Sequence, residues 1–305
     1  CLAIVGSGDS AGPWLLESAR NGTINSVRRD SRDRTWLAGE CIASTIATWT
    51  LFSSQLDETN FPEALAVNSS SFRLYGQPKQ IRRGGELVLS GSRPFLAGTT
   101  GDRTVVYGLA EDGAANWETW ISNGGYTTLL AACAVGEDSC ALLTRGEGNS
   151  LFIDFVDGNG VRRESTRIAP PLPRLTPVQE AALLVNHDGT GITVFCSFAP
   201  KGSADVTEWT AFGATVCPPG ASKEVSWSVV ADRLFVQFAV QRAGRAVVGG
   251  WLKTPDEGRL AIALLDLTTG KQVLVRLPVE YPSASAAVIL DNGDVVLCGT
   301  GKSSR

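Results

Sequence analysis

The sequence predicts an all-β fold, a single β-propeller of six four-stranded antiparallel blades, with seven as the alternative. Three observations carry this. A short apolar segment ending in a small residue recurs at 36–39 (WLAG), 95–98 (FLAG), 141–144 (ALLT), 194–197 (VFCS), 246–249 (AVVG) and 296–299 (VLCG), with starts 46 to 59 residues apart. A period of about 50 residues built from short strands is that of propeller blades. Amphipathic stretches of helical period are almost absent, which excludes a helical solenoid. Turn chemistry precedes several of these segments: Asp188-Gly189 and Asn292-Gly293 favour two-residue hairpin turns, with Ala243-Gly244 and Arg83-Gly84-Gly85 as looser versions.

The recurring segments are second strands of hairpins. Third strands are expected at 46–52, 104–109, 151–156, 207–214 and 260–266, and weaker fourth strands at 64–75, 118–121, 161–168, 216–227 and 273–278. The sixth copy stops after its second strand. Residues 1–20, with candidate strands at 2–5 and 14–19, are expected to complete the blade at 284–305 and close one domain over 1–305. Such pairing removes the edges both chain ends would leave.

With 43% apolar and 19% charged residues and a mean hydropathy of +0.04, the chain can fill a core and is too apolar for disorder. A net charge of −4 argues against a nucleic-acid partner. One histidine and no methionine exclude multi-imidazole metal sites and Met-rich grooves. No cofactor or metal is expected, and no apolar run is long enough for a spanning helix.

The stretch from Gly101-Asp102 through Leu109, Asp112-Gly113 and Trp117 to Gly124-Gly125-Tyr126 resembles a bacterial extracytoplasmic propeller repeat. Its turns are similar to degenerate Asp-boxes, in which an Asp and a Trp pin the turn between third and fourth strands. Asp9 with Trp14 matches the spacing of Asp112 with Trp117. The resemblance implies a secreted or surface protein, a binding or scaffold domain, or the frame of a glycoside hydrolase. The motif positions are structural, so it transfers no catalytic residue.

Seven cysteines suggest an oxidising compartment. Cys133 and Cys140 flank a hairpin turn and are one disulfide candidate. Cys196 with Cys217 is a second, and Cys1 with Cys298 is a third that would staple the ring. The alternative is free, buried thiols. Cys1 also has the reading of a bacterial lipoprotein's lipidated residue, the sole route to a membrane considered, which would preclude its pairing with Cys298.

Other constellations have simpler explanations. His187 beside Asp188 reads as an exposed turn. Asp154, Asp157 and Asn159 resemble the start of a calcium loop but lack its closing acid, so a type I′-like turn is expected. Arg28, Arg29, Arg32 and Arg34 are interleaved with Asp30 and Asp33, as in a solvated turn.

One face is expected to gather the loops that bind ligands. It would hold Trp251, Lys253 and Asp256 in a loop at 251–259, Lys201 and Asp205 in a loop at 199–206, and Arg167 and Arg174 in the proline-rich connection 166–179. These suit a protein partner or a glycan. The expectation is a non-enzymatic scaffold outside the cytoplasm (periplasm, outer membrane or cell surface), an accessory subunit of an envelope or surface assembly. The alternative is a glycan-binding or carbohydrate-active propeller. A hydrolase would place two carboxylates from Asp102, Asp205, Asp256 and Glu257 about 5–5.5 or 6.5–9.5 Å apart.

Overall fold

The computed structural model describes residues 2–4, 14–16, 22–29, 35–43, 46–54, 73–75, 81–100, 102–110, 115–185, 191–203, 205, 208–216, 225–253, 258–267, 269, 271–280, 283–290 and 292–300. The chain is all-β and its strands lie in antiparallel sheets. β1 (Leu2–Ile4) and β2 (Trp14–Leu16) form a pair. β3 (Gly22–Arg29), β4 (Thr35–Ala43), β5 (Ile46–Ser54) and β6 (Arg73–Tyr75) form a sheet in chain order. The same order holds for β7 (Ile81–Ser90), β8 (Arg93–Thr100), β9 (Arg103–Leu109) and β10 (Ala115–Ile121). It recurs in β11 (Thr128–Val135), β12 (Ser139–Arg145), β13 (Leu151–Asp157) and β14 (Arg162–Ile168). The next sheet holds β15 (Leu175–Val185), β16 (Ile192–Pro200), β17 (Thr210–Val216) and β18 (Ser226–Asp232). The next holds β19 (Leu234–Arg242), β20 (Arg245–Lys253), β21 (Gly258–Asp266) and β22 (Gln272–Glu280). β23 (Ser283–Ile289) and β24 (Val295–Thr300) form a final pair.

Every recurring apolar segment lies in the second strand of its sheet, as the spacing predicted. Two departures have local causes. The fourth strand expected at 216–227 is β18, at Ser226–Asp232. Pro218, Pro219 and Gly220 stand after β17, and proline cannot donate to a ladder. Among the described residues the sixth blade is not joined: β1–β2 and β23–β24 are separate two-stranded sheets. β1 and β2 are three residues each and offer three Cα pairs.

The chain divides into two compact units, Cys1–Ala141 with Phe155–Arg163, and Leu142–Asp154 with Glu164–Arg305. In the first, the leading strands β3, β7 and β11 lie side by side; in the second, β15, β19 and β23 do. This is the blade-to-blade arrangement of a propeller.

The small residue closing the recurring segment has a packing cause in β16 and β20, strands that run on beyond it. In β16, Ser197 is fully buried; its Oγ donates to the Leu234 carbonyl at 2.8 Å and accepts the Val236 N–H at 2.9 Å. A bulge between Val236 and Phe238 interrupts the β19 ladder, and the hydroxyl serves the backbone beside it. In β8 a hydroxyl serves the backbone in the same way one residue past the segment's Gly98: Thr99 Oγ1 accepts the Leu129 N–H of β11 at 2.8 Å. In β20, a Cβ on Gly249 would lie 2.1 Å from the Phe238 ring.

The turns differ from expectation in type. Ala243 and Gly244 both take positive φ, 48° and 77°, between paired Arg242 and Arg245, so this "looser" pair is the type I′ turn. At Asp157–Val161, the Gly160 N–H donates to the Asp157 carbonyl at 2.9 Å and Gly160 has φ 80°. That is a type I turn closed by a glycine bulge rather than type I′. Leu290–Asp294 repeats it with Gly293 at φ 87°.

Candidate functional site

The proline-rich connection Ala169-Pro170-Pro171-Leu172-Pro173-Arg174 links β14 to β15 and is held along its length. Trp227 of β18 donates its indole N–H to the Ala169 carbonyl at 2.8 Å. The Leu175 N–H closes a turn on the Leu172 carbonyl at 3.0 Å, and the Lys201 N–H donates to the Arg174 carbonyl at 2.8 Å. Proline removes backbone freedom before any ligand arrives. What remains is a rigid strap with Leu172 45% exposed and Pro173 and Arg174 open to solvent.

Of the seven residues expected on the ligand face, the structure brings Arg174 and Lys201 together at this strap. Asp205 lies in the turn that follows Lys201, where the Ser203 hydroxyl accepts its N–H at 3.1 Å and donates to the Glu208 carboxylate. Arg167 is exposed on β14 with Nη2 2.8 Å from Ser150 Oγ. Trp251 is not in a loop: it lies within β20, half-buried, with Phe235 and Leu260 as Cα partners. The continuous apolar run Ala246–Leu252 carries through Trp251 and Leu252, so the strand runs on past Gly249-Gly250. Lys253 ends β20 opposite Gly258. Asp256 and Glu257 lie outside the described residues, as do His187, Asp188, Cys217, Asp112 and the turn at 30–34. The side chains of Cys1, Cys41, Cys298, Arg28 and Arg29 also fall outside them. The fourth hydrolase candidate, Asp102, is an exposed turn residue beside Arg103 at 3.8 Å.

Residues that sequence reasoning passed over hold this region together. Trp227 is one: its ring packs edge-on against Phe198 at 5.1 Å while its N–H grips the strap. A second aromatic corner packs Trp209 against Phe235 at 5.1 Å with the rings tilted by 44°, and the Arg233 N–H donates to the Trp209 carbonyl at 2.6 Å. A tryptophan near the start of a fourth strand was the available signal, read for Trp14 and Trp117 but not for Trp227.

Asp157 is a turn anchor rather than a cation ligand. Burial works against its charge, but N–H bonds from Val161 at 2.9 Å and Asn159 at 3.0 Å, with Arg163 against Oδ2, outweigh it. Its carboxyl is held below the usual carboxylate range. Among the described residues no cluster of acids, thiols or imidazole suits a metal ion.

Cys133, Cys140 and Cys196 carry free thiols in the structure, with Cys133 and Cys140 on the neighbouring strands β11 and β12. Burial pushes Cys140 and Cys196 up to about 12 and raises Cys133 as well. Apolar surroundings on both sheet faces account for both burial and inertness.

No family model and no curated protein matches the chain. Solved structures do. An α-L-arabinanase from Penicillium chrysogenum, complexed with arabinobiose, aligns at TM-score 0.58 and 11% identity over 90% of this chain and 87% of that one. A 6-phosphogluconolactonase-like protein from Bacteroides uniformis aligns at TM-score 0.56 and 13% identity over 94% and 80%. A puromycin hydrolase aligns at TM-score 0.58 and 14% identity over 97% of this chain, which spans 47% of that one. These likenesses define the class: the chain is a β-propeller. At such identities they show the fold alone.

Proposed function

We propose that the chain is a non-catalytic binding propeller of the extracytoplasmic repeat kind, an accessory subunit that contacts a protein partner in an envelope or surface assembly. The pinned strap carries this reading. An exposed Leu172 on a backbone held at Ala169 and Arg174, in a strap that carries the exposed Arg174 bonded to exposed Lys201 and follows exposed Arg167, is a preorganised contact that loses little entropy on docking. The extracytoplasmic location and a lipid on Cys1 rest on the repeat resemblance and on that residue's chemistry. The six-blade count belongs to the same reading, with β1–β2 completing the blade of β23–β24.

The test is a photo-crosslinking side chain at position 172 in the native host. A discrete protein adduct, lost with Arg174→Glu, is expected. Absence of any protein adduct, together with turnover of a polysaccharide by the purified protein, overturns the reading in favour of a carbohydrate-active propeller. Intact mass then separates the fates of Cys1: a gain of several hundred daltons on its peptide marks lipid, and a link to Cys298 marks a stapled ring.

A further inference from the structure

Successive side chains of a strand point to opposite faces of its sheet, and β10 uses its two faces differently. Trp117 and Thr119 reach the turn between β13 and β14, so Glu118 and Trp120 lie on the face turned away from that sheet. Burial alternates accordingly. Glu118 is exposed and Trp120 is 39% exposed, with Thr119 half-buried between them. The Trp120 ring is tethered there: its indole N–H donates to Glu118 Oε1 at 3.2 Å.

Tyr107 of β9 completes the group. It is the Cα partner of Glu118, and cross-strand partners share a face. Burial, and then the Glu118 charge, raises its phenol, which stays uncharged near neutrality. Glu118 therefore has an aromatic neighbour along its own strand and another across the ladder. The chemistry of this surface is one-sided. A carboxylate accepts and does not donate, ring faces are electron-rich, and the indole N–H is engaged by the carboxylate. Apart from the Tyr107 hydroxyl, what it offers is acceptor oxygens and π faces. Sugar hydroxyls call for donors as well as acceptors. A guanidinium is planar, carries five donors and no acceptor, and can both bond a carboxylate and stack on a ring. The chain's net charge of −4 favours the approach of a cation.

We infer that Tyr107, Glu118 and Trp120 form a docking site for an arginine side chain of a partner protein. The guanidinium bonds Glu118 and stacks on Trp120, with Tyr107 beside it. The site uses no residue of the strap, so it goes beyond the reading above and does not depend on Leu172.

Protein labelled with 5-fluorotryptophan and titrated with the capped peptide acetyl-Gly-Arg-Gly-amide tests it, with Trp120→Phe assigning the Trp120 fluorine resonance. That resonance should move saturably with the arginine peptide and stay in place with the citrulline counterpart, which keeps the shape and lacks the charge. Glu118→Gln keeps an acceptor for the indole N–H and should weaken the arginine peptide about two- to fivefold at unchanged circular dichroism. Equal shifts from the two peptides, unchanged affinity in Glu118→Gln, or a resonance that no peptide moves each overturn the proposal. A Trp120 shift with neutral oligosaccharides and none with arginine assigns the surface to a glycan and overturns it as well. The strap reading is decided separately, by the crosslink at position 172, and stands or falls independently of these results.

Discussion

Trp117 donates its indole N–H to the Gly158 carbonyl at 2.9 Å, across 41 residues. The tryptophan belongs to β10 and the carbonyl to the turn between β13 and β14, so one sheet's fourth strand pins the turn of the next. The repeat resemblance anticipated an Asp and a Trp pinning a turn between third and fourth strands, and Trp117 reaches such a turn in the following sheet. The cause is geometric: a fourth-strand side chain points out of its sheet, toward the neighbouring blade. Thr119 adds a hydroxyl bond to the Gly160 carbonyl, and Phe95 meets the Trp117 ring edge-on at 5.8 Å. The ring fits only because Gly108 and Gly160 lack side chains; a Cβ on either would fall 2.1 or 2.7 Å from it.

Trp117→Phe should therefore lower stability by about 1 kcal/mol, keeping most of the packing and losing the bond. Gly108→Ala should cost more, on the order of 1–3 kcal/mol, because the indole must leave its slot. Urea midpoints for the two variants check the order; equal losses would mean the slot relaxes freely.

Ser197→Ala should cost about 1–3 kcal/mol, since it strips a buried N–H at Val236 and a buried carbonyl at Leu234 of their partner. Amide exchange at Val236 should accelerate more than at Val247, within β20. Uniform acceleration would instead indicate a global loss.

Ala243→Gly should stabilise the protein. Alanine at φ 48° costs roughly 1–2 kcal/mol that glycine avoids, and glycine's greater freedom when unfolded returns part of the gain. A rise in melting temperature is the readout, and Gly244→Ala should lower it.

Acid stability should depend on Asp157. Its folded carboxyl titrates below the ordinary value of 3.8, so the stability it adds is present above that value and is lost as pH falls through the lower, folded one. Asp157→Asn should flatten the acid limb of the stability profile at pH below about 4 and change little of its slope near neutrality. Arg163→Met should have the same sign and a smaller effect.

Cys140 and Cys196 should resist alkylation in the folded protein at pH 8, because burial holds both near 12 and leaves almost no thiolate. Denaturation should release them. A Cys133–Cys140 peptide recovered two hydrogens light from native protein would show that the hairpin oxidises in its own compartment.

The all-β class, the blade period and the order of strands within each sheet were legible in the sequence. They follow from local rules: alternation sets strands, and Gly, Asn and Asp set turns. The small residue closing each recurring segment was legible as a pattern, but its cause was not. Ser197 is small and hydroxylic because β19, starting 37 residues later, brings an interrupted ladder against it. The same limit applied to the site. Arg174 and Lys201 were foreseen on one face, and ladder pairing does join them; Trp251 was assigned to a loop because Gly249-Gly250 reads locally as a break. In the sheet those glycines make room, Gly249 for the Phe238 ring and Gly250 for the Phe235 carbonyl. Strand composition likewise displayed the uncharged run of β18 from the start. That it is an outer edge beside a pinned proline strap was decided only by which strands pair and which sheet Trp227 reaches, and those are long-range contacts that no local signal encodes.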